Sequence, residues 1–226
     1  MPSDKISLFF SGYGSFIHEL LASYYRGERT REDIVAEYLT GFRSHVMGRA
    51  PDQKIFSNYF QQGLSHLKGI TKPSQQIIGV ENEVSFQVGG YPFVGYIDLL
   101  LRNEENGDIT ILDHKSRNLK RRSMRAKPTK TDEELDRYLR QLYLYSIPVK
   151  DTYKVFPSYL MFNCYRTGAV IREPFSVSAF NAAVDWAAQS VDAIIHTDDF
   201  HPCMDYYFCR YICDVHDRCE YYAIQG

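Results

Sequence analysis

Apolar positions in the first 70 residues recur with helical period. In "GSFIHELLASYYRGE", Phe16, Ile17, Leu20, Leu21 and Tyr24 fall on one stripe. "TREDIVAEYLTGFRSHV" opens with a Thr cap and places acids in its first turn. A third helix is predicted from just after Pro51 toward Leu67. The pattern changes near residue 76. "QIIGVENEVSFQVGG" is rich in Val, Ile and Phe with partial alternation and closes on a Gly-Gly-Tyr-Pro turn, as a strand and hairpin do. "FVGYIDLLLR" and "ITILDHKS" read as the next two strands, joined by "NEENGD" with its Asn-Gly pair. "TDEELDRYLRQLYLYSI" returns to helical period, with Leu135, Tyr138, Leu139, Leu142 and Tyr145 near one stripe and acids at its start. "FPSYLMFNCYRTGAVIREPF" gives two more strands meeting at Thr167-Gly168, and "SAFNAAVDWAAQSVDAIIH" a last long helix. Helices, a three-stranded meander, a helix, two strands and a helix predict a mixed α/β domain built on a central sheet.

Composition adds little to that picture. At 226 residues with 44% apolar and 24% charged positions, the chain has ordinary globular make-up and can bury a substantial core. The 18 Tyr and 14 Phe mostly fit core positions of the predicted elements. No apolar run approaches the roughly 18 residues that cross a membrane, and the first residues lack the basic and apolar regions of a signal peptide. A cytoplasmic protein with no membrane partner is the expectation. The absence of a Gly-x-x-x-x-Gly-Lys segment excludes a P-loop ATPase on this chain.

Charge changes the picture locally. The net charge is −2, yet "KSRNLKRRSMRAKPTK", residues 115–130, holds eight Lys or Arg and no acid. Removing those eight from the 26 basic residues leaves 18 against 28 acids. One cationic segment on an acidic body suits phosphate binding, and equally describes a solvated loop.

The candidate chemistry sits where that segment begins. In "GYIDLLLRNEENGDITILDHKS", Asp98 lies inside an apolar strand and Asp113 near the end of its neighbour. Strand alternation projects Asp113 and Lys115 from one face and His114 from the other. Fifteen residues with a turn midway separate the two Asp, so an antiparallel pair brings the carboxylates together. Burying both uncompensated is costly, and a hard divalent cation such as Mg²⁺ or Mn²⁺ removes the problem. Lys115 adds a cation able to orient water or stabilise developing charge. Ordinary salt bridges of Asp98 and Asp113 with Lys115 and Arg117 are the competing reading.

These segments, in this order, resemble the PD-(D/E)XK nuclease superfamily, and within it the RecB-type branch with its CRISPR-associated and phage iron–sulfur nucleases. "GSFIHELL" is similar to the helix carrying a metal-binding histidine, here His18. "GYIDLL" resembles the strand of the first acid, Asp98, and "ILDHKS" the Asp-x-Lys core of Asp113 and Lys115. "QLYLY" resembles a Gln-x-x-x-Tyr motif, giving Gln141 and Tyr145 one helical turn apart. The resemblance covers roughly residues 12–222. It implies a restriction-endonuclease-like α/β fold, a central mixed sheet flanked by helices. Residues 1–70 would form its N-terminal helical part, 71–198 the nuclease core and 199–226 a cysteine-rich tail. It also implies Mg²⁺- or Mn²⁺-dependent hydrolysis of DNA, with catalytic residues Asp98, Asp113, Lys115, Gln141 and Tyr145. The metal would be held by His18, Asp98, Asp113 and the backbone carbonyl of His114. Glu81 and Glu83 precede Asp98 on the neighbouring strand, and Glu83 is the weaker candidate for a further acid. Arg117, Lys120, Arg121, Arg122, Arg125 and Lys127 are expected to hold the backbone of single-stranded DNA or duplex ends, with little base specificity. An exonuclease-like role in recombination, repair or CRISPR and phage DNA processing follows, in the cytoplasm of a bacterial or phage-infected cell, beside a helicase or recombination partner. A catalytically silent DNA-binding or assembly subunit is the alternative, and the intact His18, Asp98, Asp113 and Lys115 set argues against it.

Four of the five cysteines crowd "HPCMDYYFCRYICDVHDRC". In a reducing cytosol such clusters are more often metal ligands than disulfides. In iron–sulfur members of the family, a C-terminal trio joins one N-terminal cysteine on a [4Fe–4S] cluster. Cys209, Cys213 and Cys219 match the trio, but none of the 17 residues before His18 is cysteine. Either Cys203 is the fourth ligand or the chain starts downstream of the usual one. Zn²⁺ on the same thiolates, with His216 as a replacement ligand, is the rival. Cys164 reads as a core thiol.

Overall fold

A computed structural model describes residues 9–202, 205–213, 215 and 218–221. The chain divides into two compact units, Met1–Ile70 with Asp198–Gly226, and Thr71–Thr197.

The first unit is helical: α1 (Phe9–Arg26), α2 (Arg31–His45), α3 (Gln53–Gly69) and a short α6 (Tyr206–Tyr211). Thr30 caps α2 as a capping box with Asp33, and Asp52 caps α3 through the Ile55 amide at 2.7 Å. Aromatic rings make the core. Tyr13 and Tyr38 are fully buried, and their hydroxyls donate to the carbonyls of Tyr59 and Phe60 on α3, each at 3.0 Å. Those bonds let two phenols be buried without a desolvation penalty. Gly63 makes the approach possible, because a Cβ there would stand 2.5 Å from the Tyr38 oxygen and 2.8 Å from that of Tyr13. In the tail, Asp205 caps α6 through the Phe208 amide at 2.7 Å, and Tyr207 meets the ring of Phe10 at 6.4 Å. The sequence reading had no helix there; a six-residue helix is too short for its periodicity to register.

The second unit carries β1 (Gln76–Val88), β2 (Tyr91–Arg102), β3 (Ile109–Lys115), α4 (Lys130–Tyr153), β4 (Tyr159–Cys164), β5 (Ala169–Pro174) and α5 (Val177–His196). The sheet runs β1-β2-β3-β4-β5; β3 and β4 are parallel and the other neighbours antiparallel. The parallel pair needs a crossover, and α4 supplies it. This is the expected mixed sheet flanked by helices. Leu135, Leu139 and Leu142 of α4 pack on Ile97, Ile111, Leu160 and Phe162, all at most 2% exposed. Each such Leu contributes about 1.5–3 kcal/mol through burial. The helix outruns its predicted end at Ile147 and continues through Pro148 to Tyr153. Proline sacrifices one backbone bond there, and the burial of Pro148 and Val149 offsets the loss. Cys164 is fully buried in this core, as expected, and burial pushes its thiol pKa up. Among the described residues, no helix is long and apolar enough to cross a membrane.

The basic segment between β3 and α4 is an organised loop. Leu119 is buried at 1% exposure and anchors it. Asp132 gathers it: its carboxylate accepts from the Ser123 amide and hydroxyl and from the Thr129 amide and hydroxyl, all at 2.7 Å. The backbone donors at Ser123 and Thr129, chiefly, hold its pKa far below the usual carboxylate range. A depressed pKa stabilises the fold fully above the unfolded value of about 4 and ceases to do so as pH falls toward the folded one. Asp132→Asn should therefore expose the loop: trypsin cuts after Lys120, Arg121 or Arg125 severalfold faster at neutral pH. In the wild-type protein the protected loop should open on acidification below about pH 4, followed by amide exchange. Equal cleavage rates in both proteins would show that Asp132 does not hold the segment.

Candidate active site

The β2–β3 ladder runs from Arg102↔Ile109 to Leu99↔Leu112 and stops there. One position further, Asp98 and Asp113 face the gap, at 9% and 3% exposure. The Asp98 carboxylate takes over the strand's role and accepts the amide of His114 at 2.6 Å. That bond fixes the end of β3, whose other edge stays paired to β4 through Lys115↔Cys164. The His114 ring points elsewhere, as alternation requires, and meets Asn163 at 3.1 Å.

Asp113 and Lys115 do share a face. Lys115 Nζ lies 3.0 Å from Oδ1 and 2.8 Å from Oδ2 of Asp113. It also donates to Gln141 Oε1 at 3.1 Å, and Gln141 Nε2 donates in turn to the Tyr145 hydroxyl at 2.9 Å. The four side chains form a continuous chain from helix to strand, with a buried tyrosine at its far end. Gly95 on β2 creates the space for that ring; a Cβ at Gly95 would approach Tyr145 to 2.5 Å.

Of the two glutamates on β1, the structure sets Glu81 beside the site. Its carboxylate and that of Asp98 have oxygens within 4.8 Å of each other. Glu81 has φ of 50°, a left-handed conformation uncommon for a non-glycine residue and strained by about 1–3 kcal/mol. Glu83, the other acid that the sequence offered there, instead accepts the Tyr96 hydroxyl at 3.0 Å on the exposed side. Simple alternation would put both glutamates on one face, and the left-handed residue breaks that alternation. "GVENEV" carries no signal for it.

His18 stands half-buried on α1 in the helical unit. The DNA-binding candidates divide. Arg117 pairs with Glu134, Arg122 with Asp136 and Glu173, and Arg121 donates to the Val170 carbonyl. Lys120, Arg125 and Lys127 are exposed, with no ion pair among the described residues. Cys209 is buried, Cys213 and Cys219 are partly exposed, and none of the three is in a disulfide. Cys203 and His216 lie outside the described residues.

A buried acid pair where two strands part, an Asp-x-Lys step and a mixed five-stranded sheet flanked by helices are the restriction-endonuclease-like arrangement of metal-dependent nucleases. The family model of the PD-(D/E)XK nuclease superfamily matches residues 5–220, and the chain belongs to that superfamily. No curated protein sequence is significantly similar to it. Among solved structures, one entitled "Crystal structure of SSO0001" aligns over 93% of this chain and 94% of its own at 18% identity; its TM-score of 0.36 is too low to carry a structural argument.

Gly95→Ala should lower stability by about 1–3 kcal/mol through overpacking against Tyr145, read from urea unfolding. In a Tyr145→Leu background the same change should cost less than half as much. Equal losses in both backgrounds would show that the ring is not what the new methyl meets.

Proposed function

We propose that the protein is a metal-dependent DNA nuclease of the RecB-type branch that hydrolyses phosphodiester bonds. One observation carries this reading: buried Asp98 and Asp113 stand with Glu81 and a lysine that is itself held by Asp113 and Gln141. Hard carboxylate oxygens in an apolar setting fit a divalent cation, Mg²⁺ or Mn²⁺. Asp98, Asp113 and the His114 carbonyl are its ligands in this reading, with Glu81 as a further acid and His18 as the ligand that the motif order implies. When bound, the cation polarises the phosphate and acidifies a coordinated water.

The protein's own groups do the rest. Lys115 presents an ammonium to the reacting phosphate and stabilises the negative charge that develops there. Gln141 and Tyr145 restrict that ammonium, so that little reorganisation accompanies reaction. Asp98 holds the His114 amide and so fixes the strand end from which Asp113 and Lys115 project. Lys120, Arg125 and Lys127, with Arg117, Arg121 and Arg122 once their present partners are exchanged for phosphates, would hold the backbone of single-stranded DNA or duplex ends. Backbone contacts of this kind support little sequence specificity and an exonuclease-like role in recombination, repair or CRISPR and phage DNA processing, in the cytoplasm and beside a helicase or recombination partner. Cys209, Cys213 and Cys219, none of them in a disulfide, suit a [4Fe–4S] cluster with Cys203 as fourth ligand. Such a cluster would staple the tail and take no part in hydrolysis.

Purified, metal-replete protein should degrade single- or double-stranded DNA with Mg²⁺ or Mn²⁺ and lose that activity in chelator. Asp113→Ala and Lys115→Ala should each reduce the rate by about 100-fold or more. Wild-type protein that is inert on every substrate, or variants as active as wild type, would contradict the assignment. Protein purified without air should be brown and contain iron and inorganic sulfide. A colourless preparation containing zinc replaces the cluster with the Zn²⁺ reading and leaves the nuclease intact.

A further inference from the structure

The stripe of α4 that carries Gln141 and Tyr145 continues toward its N-terminus. Glu134, Tyr138, Gln141 and Tyr145 follow one another at helical spacings of four, three and four. The C-terminal pair of this stripe restrains Lys115. The N-terminal pair, with Arg117 and Arg137, lines a cavity of about 370 Å³, within the range of roughly 300–1,000 Å³ that small ligands occupy. We propose that this cavity is a nucleotide subsite beside the reacting phosphate. Arg117 and Arg137 hold one neighbouring phosphate of a DNA strand, and the ring of Tyr138 stacks on the base of that nucleotide. The assignment rests on the nuclease reading and names how its substrate is gripped.

Charge is the first support. Two guanidiniums share the cavity with one carboxylate. Glu134 Oε1 accepts from Arg117 Nε at 2.6 Å and Nη2 at 2.5 Å, occupying the fork of donors that a phosphate would take. Arg137 is exposed and makes no ion pair among the described residues. An arriving phosphate therefore finds one available guanidinium and exchanges with Glu134 for the second.

Position is the second support. Lys115 Nζ lies 5.8 Å from the centre of the Tyr138 ring, so a strand whose reacting phosphate meets Lys115 carries its next nucleotide over that ring. The ring is set in advance. It stands edge-on to buried Phe162 at 6.3 Å and is only partly exposed, so stacking on it orders little that was mobile. Stacking on an aromatic ring tolerates any base, in keeping with a nuclease of low specificity.

The test is equilibrium binding of a fluorescein-labelled single-stranded oligonucleotide, by anisotropy in chelator across a salt series. Arg137→Gln should weaken binding and lower the slope of log K against log salt by about 0.7, the loss of one single-strand phosphate contact. Tyr138→Leu should weaken binding about tenfold, yet bind an abasic oligonucleotide as the wild type does. Glu134→Gln should tighten binding, because it removes the competitor for Arg117; loss of a merely structural ion pair would not. Arg137→Gln and Glu134→Gln that both keep wild-type affinity and slope would overturn the proposal. So would a Tyr138→Leu variant that weakens abasic and base-bearing strands equally, or a wild-type protein that binds no strand. Wild-type protein with the expected binding pattern that cleaves nothing leaves the subsite standing and removes the nuclease reading. Cleaving protein whose variants bind like wild type removes the subsite alone.

Discussion

Asp98 and Asp113 lie at the point where strands β2 and β3 stop pairing, in a sheet otherwise lined by Leu and Ile. An ionised carboxylate withdrawn from water costs several kcal/mol unless donors or cations meet it, and two side by side repel as well. Much of the local structure answers that constraint. Asp98 accepts a backbone amide that would otherwise have lost its strand partner, and Asp113 is bridged by Lys115. With Glu81 also nearby, acids still outnumber the one lysine. That imbalance is what favours the proposed divalent cation over a purely structural salt bridge.

The lysine needs the rest of the second unit. A flexible four-carbon ammonium must be held to play the part proposed for it; Gln141 holds it from the crossover helix and is itself held by Tyr145. The helix in turn is placed by its leucines on the sheet and by the glycine that admits the tyrosine ring. Its N-terminus is tied to the basic loop by Asp132, so the segment leaving the site begins ordered. Fold, lysine and cationic loop are thus mechanically linked through α4. The same helix brings Glu134 and Tyr138 to the cavity beside the lysine.

How much of this was legible in the sequence follows from the range of each interaction. That Asp113 and Lys115 share a face was readable because a strand's period of two is local, and that Gln141 and Tyr145, offered by the resemblance, do so because a helix repeats every turn. Pairing across a short hairpin made Asp98 readable too. Which of Glu81 and Glu83 meets Asp98 was hidden, because it depends on one left-handed residue inside a strand, which no periodicity announces. The cationic run looked uniform, yet its arginines divide by partners far along the chain: Glu134 and Asp136 on α4 and Glu173 on β5. The helical pattern was read only to Ile147, and packing carries the helix on through Pro148.

The central claim is that the carboxylates at the end of the β2–β3 ladder form a site for a divalent cation. Titration of metal-free protein with Mn²⁺, following free ion by its paramagnetic resonance signal, tests it without reference to any substrate. The wild-type chain should bind Mn²⁺, and Asp98→Asn and Asp113→Asn should each weaken that binding by about tenfold or more. A wild-type chain that takes up no Mn²⁺, or binding unaltered in both variants, would contradict the account.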